Sequence, residues 1–320
     1  MSATPGARLA GACVFVTGAG GFVGPHLARE LVRRGARVHG FGLGAPPASA
    51  PVERWTEADL GDAAALAEAL AVARPAAIVH LAGQSSAARS FEAPQQTFQA
   101  NVVGTRRLLE AAEATSPAAR VLVVSTSEVY GPHAPGMRAD EDVPLAPVSP
   151  YGSSKAESEA VAAAFAESHG LDVVRVRPFG HTGPGQTARF VIPAWAEQVA
   201  AIERGGREPV LRVGNLEVTR DLSDVRDIVR GYAELIERGA RGAVYNLCRG
   251  EGVRLADVVQ QLAAMARVPV RVDVDPALLR PADVPYLVGD PSRVHAATGW
   301  RAEIPFERTL ADVLEEWRTR

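Results

Sequence analysis

The sequence has few cysteines, no excess of charge of one sign and no apolar run as long as a membrane span. Cys13 and Cys248 are its two cysteines, and each stands in an apolar, strand-like run, which is typical of buried thiols in a reducing compartment. The formal net charge is −3 over 320 residues, which favours neither nucleic acid nor a membrane surface as a partner. Residues 1–10 have no apolar core like that of a signal peptide, so we expect a cytoplasmic protein.

The composition is that of an ordinary globular protein, with 47% hydrophobic and 22% charged residues. Over the first half of the chain, short β-branched runs alternate with longer stretches rich in Ala, Leu, Glu and Arg. This order of strand then helix predicts a parallel sheet that is covered by helices on both faces. The predicted strands are 12–17, 37–41, 76–81, 120–125 and 172–177, and the predicted helices are 22–34, 61–73, 95–116 and 151–168.

A glycine-rich turn follows the first predicted strand and opens the first helix. Gly18 permits the tight turn, Gly21 lets backbone amides approach a pyrophosphate, and Gly24 lets the helix pack closely on the strand. Phe22 and Val23 begin that helix, whose N-terminus carries a partial positive charge toward the phosphates. The motif predicts a dinucleotide-binding site of the Rossmann type.

Two further loops are placed to complete a cofactor site at the carboxyl ends of the strands. Asp59 and Leu60 follow a third strand, which comes between the strand 37–41 and the helix 61–73, and Leu81, Ala82 and Gly83 follow the fourth strand, 76–81, where they would flank adenine and ribose. The end of the second strand, residues 39–43, holds neither an acid, which would favour NAD, nor an arginine, which would favour NADP. The sequence therefore leaves the choice between NADP and NAD open.

After residue 177 the pattern loosens into loops rich in glycine and proline, and two segments, 224–238 and 243–248, read as a helix and a strand that extend the sheet. Helical stretches near 190–204, 255–266 and 305–317 lie outside them. We therefore predict an α/β fold, a doubly wound parallel sheet with a smaller, interleaved C-terminal substrate-binding domain. The predicted domains are 1–177 plus about 222–250 for the dinucleotide, and about 178–221 plus 251–320 for the substrate.

Tyr151 and Lys155 place a phenol and an ammonium four residues apart at the start of a helix, and therefore on one face of it. The charge of Lys155 would lower the pKa of Tyr151, so that the phenol can pass a proton near neutrality. Thr126 and Glu128 follow the fifth strand, where ligands bind in doubly wound sheets. We expect Thr126 to hydrogen-bond the reacting oxygen and Glu128 to act as a further acid or base; the alternative is a simple turn with Ser127 as a helix cap.

Together the glycine motif, residues 125–131 and the Tyr151–Lys155 pair resemble the extended short-chain dehydrogenase/reductase family over essentially the whole chain. The resemblance implies an NAD(P)-dependent enzyme whose active site consists of Thr126, Tyr151 and Lys155. It also implies that Asn101 and Pro178 contact the cofactor and that Ser86 contacts the substrate.

Residues 213–227 and 279–285 resemble the GDP-mannose branch of that family, most closely the GDP-6-deoxy-D-mannose reductases, with the GDP-mannose 4,6-dehydratases as siblings. By this resemblance Asn215 and Arg220 would hold the diphosphate, Arg280 would clamp the phosphates, and Asp283 would accept a hydrogen bond from ribose or base. One departure is Gly180, which stands where the family has an asparagine that touches the substrate. His181 or Gln186 would compensate for it.

The expected reaction is NAD(P)H-dependent reduction of the 4-keto group of GDP-4-keto-6-deoxy-D-mannose to GDP-D-rhamnose. The alternatives are a GDP-mannose 4,6-dehydratase, another nucleotide-sugar epimerase, or a non-catalytic nucleotide-binding regulator on the same fold. The resemblance further implies a homodimer that pairs helices 95–116 and 151–168 across a two-fold axis. We expect a GDP-linked sugar as the substrate, and neither a metal, a nucleic acid nor a membrane.

Overall fold

The computed structural model describes residues 9–279 and 284–320 of the chain. Its strands are β1 (Cys13–Thr17), β2 (Arg37–Gly42), β3 (Arg54–Glu57), β4 (Ala77–His80), β5 (Arg120–Val124), β6 (Asp172–Pro178), β7 (Gly180–Thr182), β8 (Val210–Val213), β9 (Thr219–Asp224), β10 (Val244–Leu247), β11 (Gly252–Arg254), β12 (Arg271–Val274) and β13 (Tyr286–Leu287). Its helices are α1 (Val23–Arg33), α2 (Ala63–Ala73), α3 (Ala87–Glu92), α4 (Pro94–Phe98), α5 (Gly104–Thr115), α6 (Pro150–Ser168), α7 (Val191–Glu203), α8 (Val225–Arg238), α9 (Leu255–Ala264), α10 (Ser292–Thr298) and α11 (Phe306–Thr319).

Seven strands of the described residues form one sheet in the order β10-β6-β5-β4-β1-β2-β3, and neighbouring strands in it run parallel. The chain runs from β1 outward to β3 and then returns to β4 on the other side of β1. The gap between β1 and β4 is therefore the switch point of the sheet, and ligands of such sheets bind outside the carboxyl ends of the strands there. This topology confirms the predicted fold class.

The two faces of the sheet carry separate apolar cores, because successive side chains of each strand point to opposite faces. Val14 and Val16 of β1 face the core under α1 and α8, which contains Leu27 and Ile228. Phe15 faces the other core, under α2, α5 and α6. Apart from the edge strand β3, whose residues are exposed or half-buried, the strands of this sheet are largely buried on both faces, which explains why they read as continuous apolar runs rather than as alternating ones.

A third apolar core lies under α7, α9 and α11 and includes Trp195, Val258 and Leu310. The small strands accompany it: β9 lies between β11 and β13 and also pairs with β7, and β12 pairs with β8. Because β7 follows β6 and β9 leads into α8, the chain passes between this region and the main sheet more than once. The exact domain boundaries stay a prediction.

Several local features differ from the sequence prediction. The single helix predicted at 95–116 is α4, a π-helical turn over Gln99–Val103, and then α5. Cys248 is buried as expected, whereas Cys13 at the start of β1 is half-buried, and both are free thiols. In the part of the chain that the structure describes, no helix is both long enough and apolar enough to cross a membrane.

Candidate active site

A cavity of about 1300 Å³ opens at the carboxyl ends of β1, β4, β5 and β6. It brings together most of the residues that the sequence singled out. The predicted residues that line it are Gly18, Gly21, Phe22, Val23, Asp59, Leu60, Leu81, Ala82, Gly83, Thr126, Glu128, Tyr151, Lys155, Pro178, His181 and Arg220. Segments that lie far apart in the sequence thus form one site because parallel strands end at one edge of the sheet.

The glycine turn after β1 has the geometry that a dinucleotide requires. Gly18 has a φ of +68°, and a Cβ atom there would lie 2.6 Å from the Ala82 amide nitrogen. A Cβ atom on Gly24 would lie 2.1 Å from the Ala19 carbonyl oxygen, so only glycine lets α1 start this close to the turn. Gly21 lines the cavity without a side chain. The turn therefore presents bare backbone toward the cavity at the N-terminus of α1, as phosphate binding demands, and the residues present fit a dinucleotide.

A buried chain of hydrogen bonds holds this turn against the neighbouring strand. His80 lies between two hydroxyls, with its Nδ1 2.8 Å from Thr17 Oγ1 and its Nε2 3.0 Å from Thr105 Oγ1. Thr105 Oγ1 donates to the Asn101 carbonyl oxygen at 2.6 Å, so it accepts from His80 Nε2, and Thr17 Oγ1 donates to His80 Nδ1. Burial and the charge of Lys155 lower the pKa of His80 to about 3, which keeps this imidazole neutral.

Tyr151 lies in the first turn of α6 and is only 8% exposed. Ser149 caps that helix by accepting from the Gly152 amide at 3.0 Å, and Pro150 occupies its first position. Burial is the main effect that raises the pKa of the Tyr151 phenol, and the charge of Glu128 adds to it. The hydrogen bond with Thr126 acts in the opposite direction. Thr126 and Glu128 are therefore the groups that meet the phenol from the end of β5.

Lys155 is the single lysine of the sequence; the other 33 of its 34 lysine and arginine residues are arginines. Its Nζ donates to the Val124 carbonyl oxygen at 2.6 Å, and the residue is 8% exposed. Burial lowers the pKa of Lys155 to about 8, while the charge of Glu159 raises it. The sequence predicted that Lys155 lowers the pKa of Tyr151. In the structure the pKa of Tyr151 is raised instead, because burial of the phenol is the largest effect. The Lys155 ammonium donates to the Val124 carbonyl oxygen.

Asn101 was predicted to contact the cofactor, but it does not line the cavity. Its contacts instead position neighbouring segments of the chain. It is 1% exposed. Its Nδ2 donates to Ser154 Oγ on α6 at 2.9 Å, and its Oδ1 accepts from the Gln84 amide at 2.8 Å. The π-helical turn thereby ties the loop after β4 to the helix that carries Tyr151 and Lys155.

Three other predicted residues of the described part do not line the cavity either. Gly24 packs behind the glycine turn, as its sequence role implied. Ser86 caps α3 by accepting from the Arg89 amide at 3.3 Å, and Asn215 accepts from the Glu217 amide at 3.0 Å in its own loop. Arg280 and Asp283 lie outside the described residues.

His181, proposed to compensate for the departure at Gly180, is a residue of β7 and lines the cavity beside the glycine turn. Its Nδ1 lies 2.9 Å from the Phe179 carbonyl oxygen, so Nδ1 carries a proton, and burial lowers the pKa of the ring. Its ring stacks on Phe22, with centroids 6.2 Å apart and an interplanar angle of 13°. Gln186 lines the cavity too and accepts from Thr182 Oγ1 at 2.7 Å.

Part of the cavity wall consists of residues that the sequence did not predict. Arg89 and Arg107 line it, and Arg107 donates to the Gly61 carbonyl oxygen at 3.0 Å beside Asp59 and Leu60. A run of glutamines on α4 and the π-helical turn lines it as well, at positions Gln95, Gln96 and Gln99. Their one sequence signal was a cluster of polar residues at the start of a helix, which is the normal composition of a solvated face.

Comparisons with known proteins extend over nearly the whole chain. The family of GDP-mannose 4,6 dehydratases matches residues 15–313. A GDP-6-deoxy-D-mannose reductase from Pseudomonas aeruginosa is 35% identical over 308 residues, covering 96% of this chain and 97% of that protein. The structure of RMD from Pseudomonas aeruginosa complexed with NADPH has a TM-score of 0.84 at 32% identity, covering 97% of this chain and 100% of that one. The UDP-glucose 4-epimerase of Thermus thermophilus in complex with NAD has a TM-score of 0.86 at 29% identity, covering 96% and 99%.

Proposed function

Since the chain belongs to the GDP-mannose 4,6 dehydratase family of extended short-chain dehydrogenases/reductases, we propose that it reduces the 4-keto group of GDP-4-keto-6-deoxy-D-mannose with NAD(P)H. The product is GDP-D-rhamnose. The observation that carries this proposal is the meeting of Tyr151, Thr126 and Lys155 at one cavity that also contains the glycine turn. The reductase relative, 35% identical over almost all of both chains, favours reduction within the family.

The cofactor is an NAD(P) dinucleotide, and related structures hold NADPH or NAD. Gly18, Gly21, Phe22 and Val23 would hold its pyrophosphate, because backbone amides and the N-terminus of α1 are placed there. When bound, the reduced nicotinamide supplies a hydride to the substrate carbonyl carbon. Asp59, Leu60, Leu81, Ala82 and Gly83 would surround the adenosine half, and Pro178 would close the nicotinamide end.

The residues of the chain supply the proton that reduction requires. The Tyr151 phenol is protonated near neutrality, since burial raises its pKa further above that range, and it can donate its proton to the new alkoxide oxygen. Thr126, which hydrogen-bonds the phenol, orients the same oxygen. Lys155 places a positive charge beside the site, which stabilises the phenolate that forms as the proton leaves.

We propose that the GDP part of the substrate binds beside the short strands β7 and β9. Arg220 of β9 lines the cavity and would pair with the diphosphate, since the guanidinium fork matches phosphate oxygens. His181, whose Nδ1 is fixed by Phe179, would present Nε2 to a sugar hydroxyl. We further propose that residues 178–221 plus 251–320 form the substrate lobe and that the protein is a homodimer.

The test is direct. Purified protein is incubated with GDP-4-keto-6-deoxy-D-mannose and either NADPH or NADH, and oxidation of the nucleotide is followed by absorbance. We expect oxidation to match formation of GDP-D-rhamnose. Absence of oxidation of both nucleotides would remove the proposal.

One observation keeps a dehydratase as a second candidate. Glu128 lines the cavity, and its charge acts on the Tyr151 phenol, which is where an acid or base that removes water would be needed. A GDP-mannose 4,6-dehydratase would convert GDP-mannose with no net change of the nicotinamide. Product formed from GDP-mannose alone, with no nucleotide added, would therefore favour this candidate over the reductase.

A further inference from the structure

A buried ion pair lies behind the cavity wall, formed by Glu159 of α6 and Arg177 of β6. The two residues are 2% and 5% exposed. Arg177 Nη2 donates to Glu159 Oε2 at 2.7 Å, and Arg177 Nε donates to Glu159 Oε1 at 3.0 Å. None of the roles proposed above for the reaction uses this pair. Buried ion pairs are weak evidence for stability, because desolvation offsets much of the attraction, so a functional role is the better question.

The pair is held rigidly from the side away from the cavity. Arg177 Nη1 donates to the Tyr130 hydroxyl at 2.9 Å, and that hydroxyl donates to Asn246 Oδ1 at 2.6 Å. The guanidinium carbon of Arg177 also lies 4.9 Å from the centroid of the Tyr130 ring. These contacts fix the guanidinium, and the guanidinium in turn fixes the carboxylate.

On the side toward the cavity, Glu159 reaches the same strand end as Lys155. Ser125 lines the cavity and donates its hydroxyl proton to Glu159 Oε1. Lys155 Nζ donates to the carbonyl oxygen of Val124, the residue before Ser125. Lys155 and Glu159 are four residues apart on α6 and therefore share one face of that helix. Both side chains thus meet the carboxyl end of β5 from the same side.

The groups around Lys155 leave Glu159 as the source of negative charge. His80 faces Lys155 from β4 and is neutral. Tyr151 stands one turn earlier on α6 with its phenol protonated, and Glu128 acts on that phenol. Arg177 lies beyond Glu159 on β6. Among the described residues, Glu159 is the one carboxylate whose charge raises the pKa of Lys155 against the effect of burial.

We propose that Glu159, held in place by Arg177 and Ser125, is a positioning residue that keeps the Lys155 ammonium charged at the cavity. The proposal rests on the proposed function for its catalytic meaning, because a charged Lys155 is what stabilises the Tyr151 phenolate. Arg177 limits the effect by neutralising part of the carboxylate charge. The competing explanation is that the pair only joins α6 to β6.

The single lysine makes a direct test possible. Protein grown with isotope-labelled lysine gives one lysine side-chain signal in NMR spectra, so the titration of Lys155 is read without assignment. In Glu159→Gln we expect its pKa to fall by about one pH unit or more, because an opposite charge is lost. In Arg177→Gln we expect a rise, because Glu159 is no longer neutralised. The exposed Glu113→Gln, which removes a surface contact to His169, is the control and should leave the titration unchanged.

Turnover gives the second readout. The alkaline limb of the pH–kcat profile should move to lower pH in Glu159→Gln and to higher pH in Arg177→Gln, with the KM for the keto-sugar nearly constant. A merely structural pair would reduce thermal stability in both variants and leave both pH dependences in place. Should Glu159→Gln not fold, Arg177→Gln tests the same charge effect with opposite sign.

The two hypotheses fail separately. An unchanged Lys155 titration in the variants overturns the role of Glu159 whether or not the enzyme turns over the keto-sugar. No turnover by the wild-type protein overturns the proposed reaction, while the NMR titration still decides the role of Glu159.

Discussion

Burial acts on Tyr151 and Lys155 in opposite directions. It raises the pKa of the phenol and lowers that of the ammonium to about 8, since each change favours the neutral form. The phenol is thus a proton donor at rest, which suits reduction, where a proton must be delivered to an alkoxide. The ammonium is held charged near neutrality only by a small margin, and so the residues around it matter.

Replacing Tyr151 with Phe should lower kcat by about 10²- to 10⁴-fold, the usual contribution of a positioned acid. Dissociation constants for NADPH and NADH should change little, because the ring still lines the cavity. Steady-state kinetics and fluorescence titration measure the two effects. Tyr245→Phe, which alters a tyrosine that hydrogen-bonds the Ala240 amide, is the control. Equal rates for Tyr151→Phe and wild type would refute the role of the phenol.

Lys155 should lower the free energy of unfolding, because its charged form is buried in the folded protein. Its pKa falls from 10.5 in its ordinary state to about 8, so the unfolded chain binds more protons between these pH values and stability rises with pH in that window. Below pH 8 the cost is about 3 kcal/mol. Lys155→Met should therefore be more stable than wild type at pH 7 by about 2 kcal/mol, allowing for the lost bond to Val124. This advantage should fall to zero and then change sign as the pH rises toward 10.5, because only the lost bond then remains.

Urea unfolding of both proteins at a series of pH values measures this difference. Lys155→Arg is the matched control, because arginine stays charged at every pH and its difference from Lys155→Met should not close. A gap between wild type and Lys155→Met that stays constant with pH would contradict the burial argument.

At the residue level, the sequence predicted which residues meet at the cavity, but not their pKa shifts or all of their neighbours. Tyr151, Thr126 and Lys155 do meet at the cavity, because their types and their places after predicted strands carried the information. The balance of pKa effects could not be predicted, since it depends on how deeply each group is buried. Arg107 was missed for a similar reason: nothing in its local sequence shows that α5 turns it toward Gly61.

At the scale of the elements, the glycine turn and α1 form one unit, in which Gly21 and Gly24 have different structural roles. Gly21 leaves space for ligand, whereas Gly24 leaves space for the protein itself, since its missing side chain is filled by the Ala19 carbonyl. The sequence motif contains both without distinguishing them. The structure therefore predicts two separable phenotypes.

Gly24→Ala should lose about 2 kcal/mol of stability and bind NADPH weakly, because α1 must move away from the turn. Gly21→Ala should weaken NADPH binding by about tenfold with little loss of stability, since its added Cβ atom would lie 3.3 Å from the Gly18 carbonyl oxygen. Thermal unfolding and NADPH titration separate the two. A Gly24→Ala protein of wild-type stability would show that the helix start can shift freely.

The sheet and most of its helices could be predicted, because the spacing of hydrophobic residues and the glycines at turns are local features of the sequence. Segment 95–116 is a case in which local features were not sufficient. Its composition is helical throughout, yet the chain forms α4, a π-helical turn and α5. The π turn directs Asn101 to Ser154 and Gln84. Contacts between distant segments decide that geometry, and a local pattern does not contain them.

On the scale of the whole molecule, the net charge of −3 gives no long-range attraction for an anionic nucleotide sugar. Binding would then depend on arginines at the cavity. Arg220→Met should raise the KM for the keto-sugar by about 10- to 100-fold with kcat nearly unchanged, the pattern of lost uniform binding. Arg212→Met, an exposed arginine paired with Asp273 at 3.8 Å, is the control. A fall in kcat at constant KM would place Arg220 in the chemical step instead.

The presence of one lysine, buried in the second turn of α6, has a consequence for measuring the motions of the whole chain. A protease that cuts only after lysine can cleave this protein at a single peptide bond, between Lys155 and Ala156. That bond lies within the helix, so cleavage requires the helix to open, and under conditions of fast reclosing its rate reports the free energy of that opening. Any ligand that occupies the cavity should slow cleavage in proportion to its affinity. Digestion followed on a gel would then rank cofactors and nucleotide sugars without an assay for the reaction.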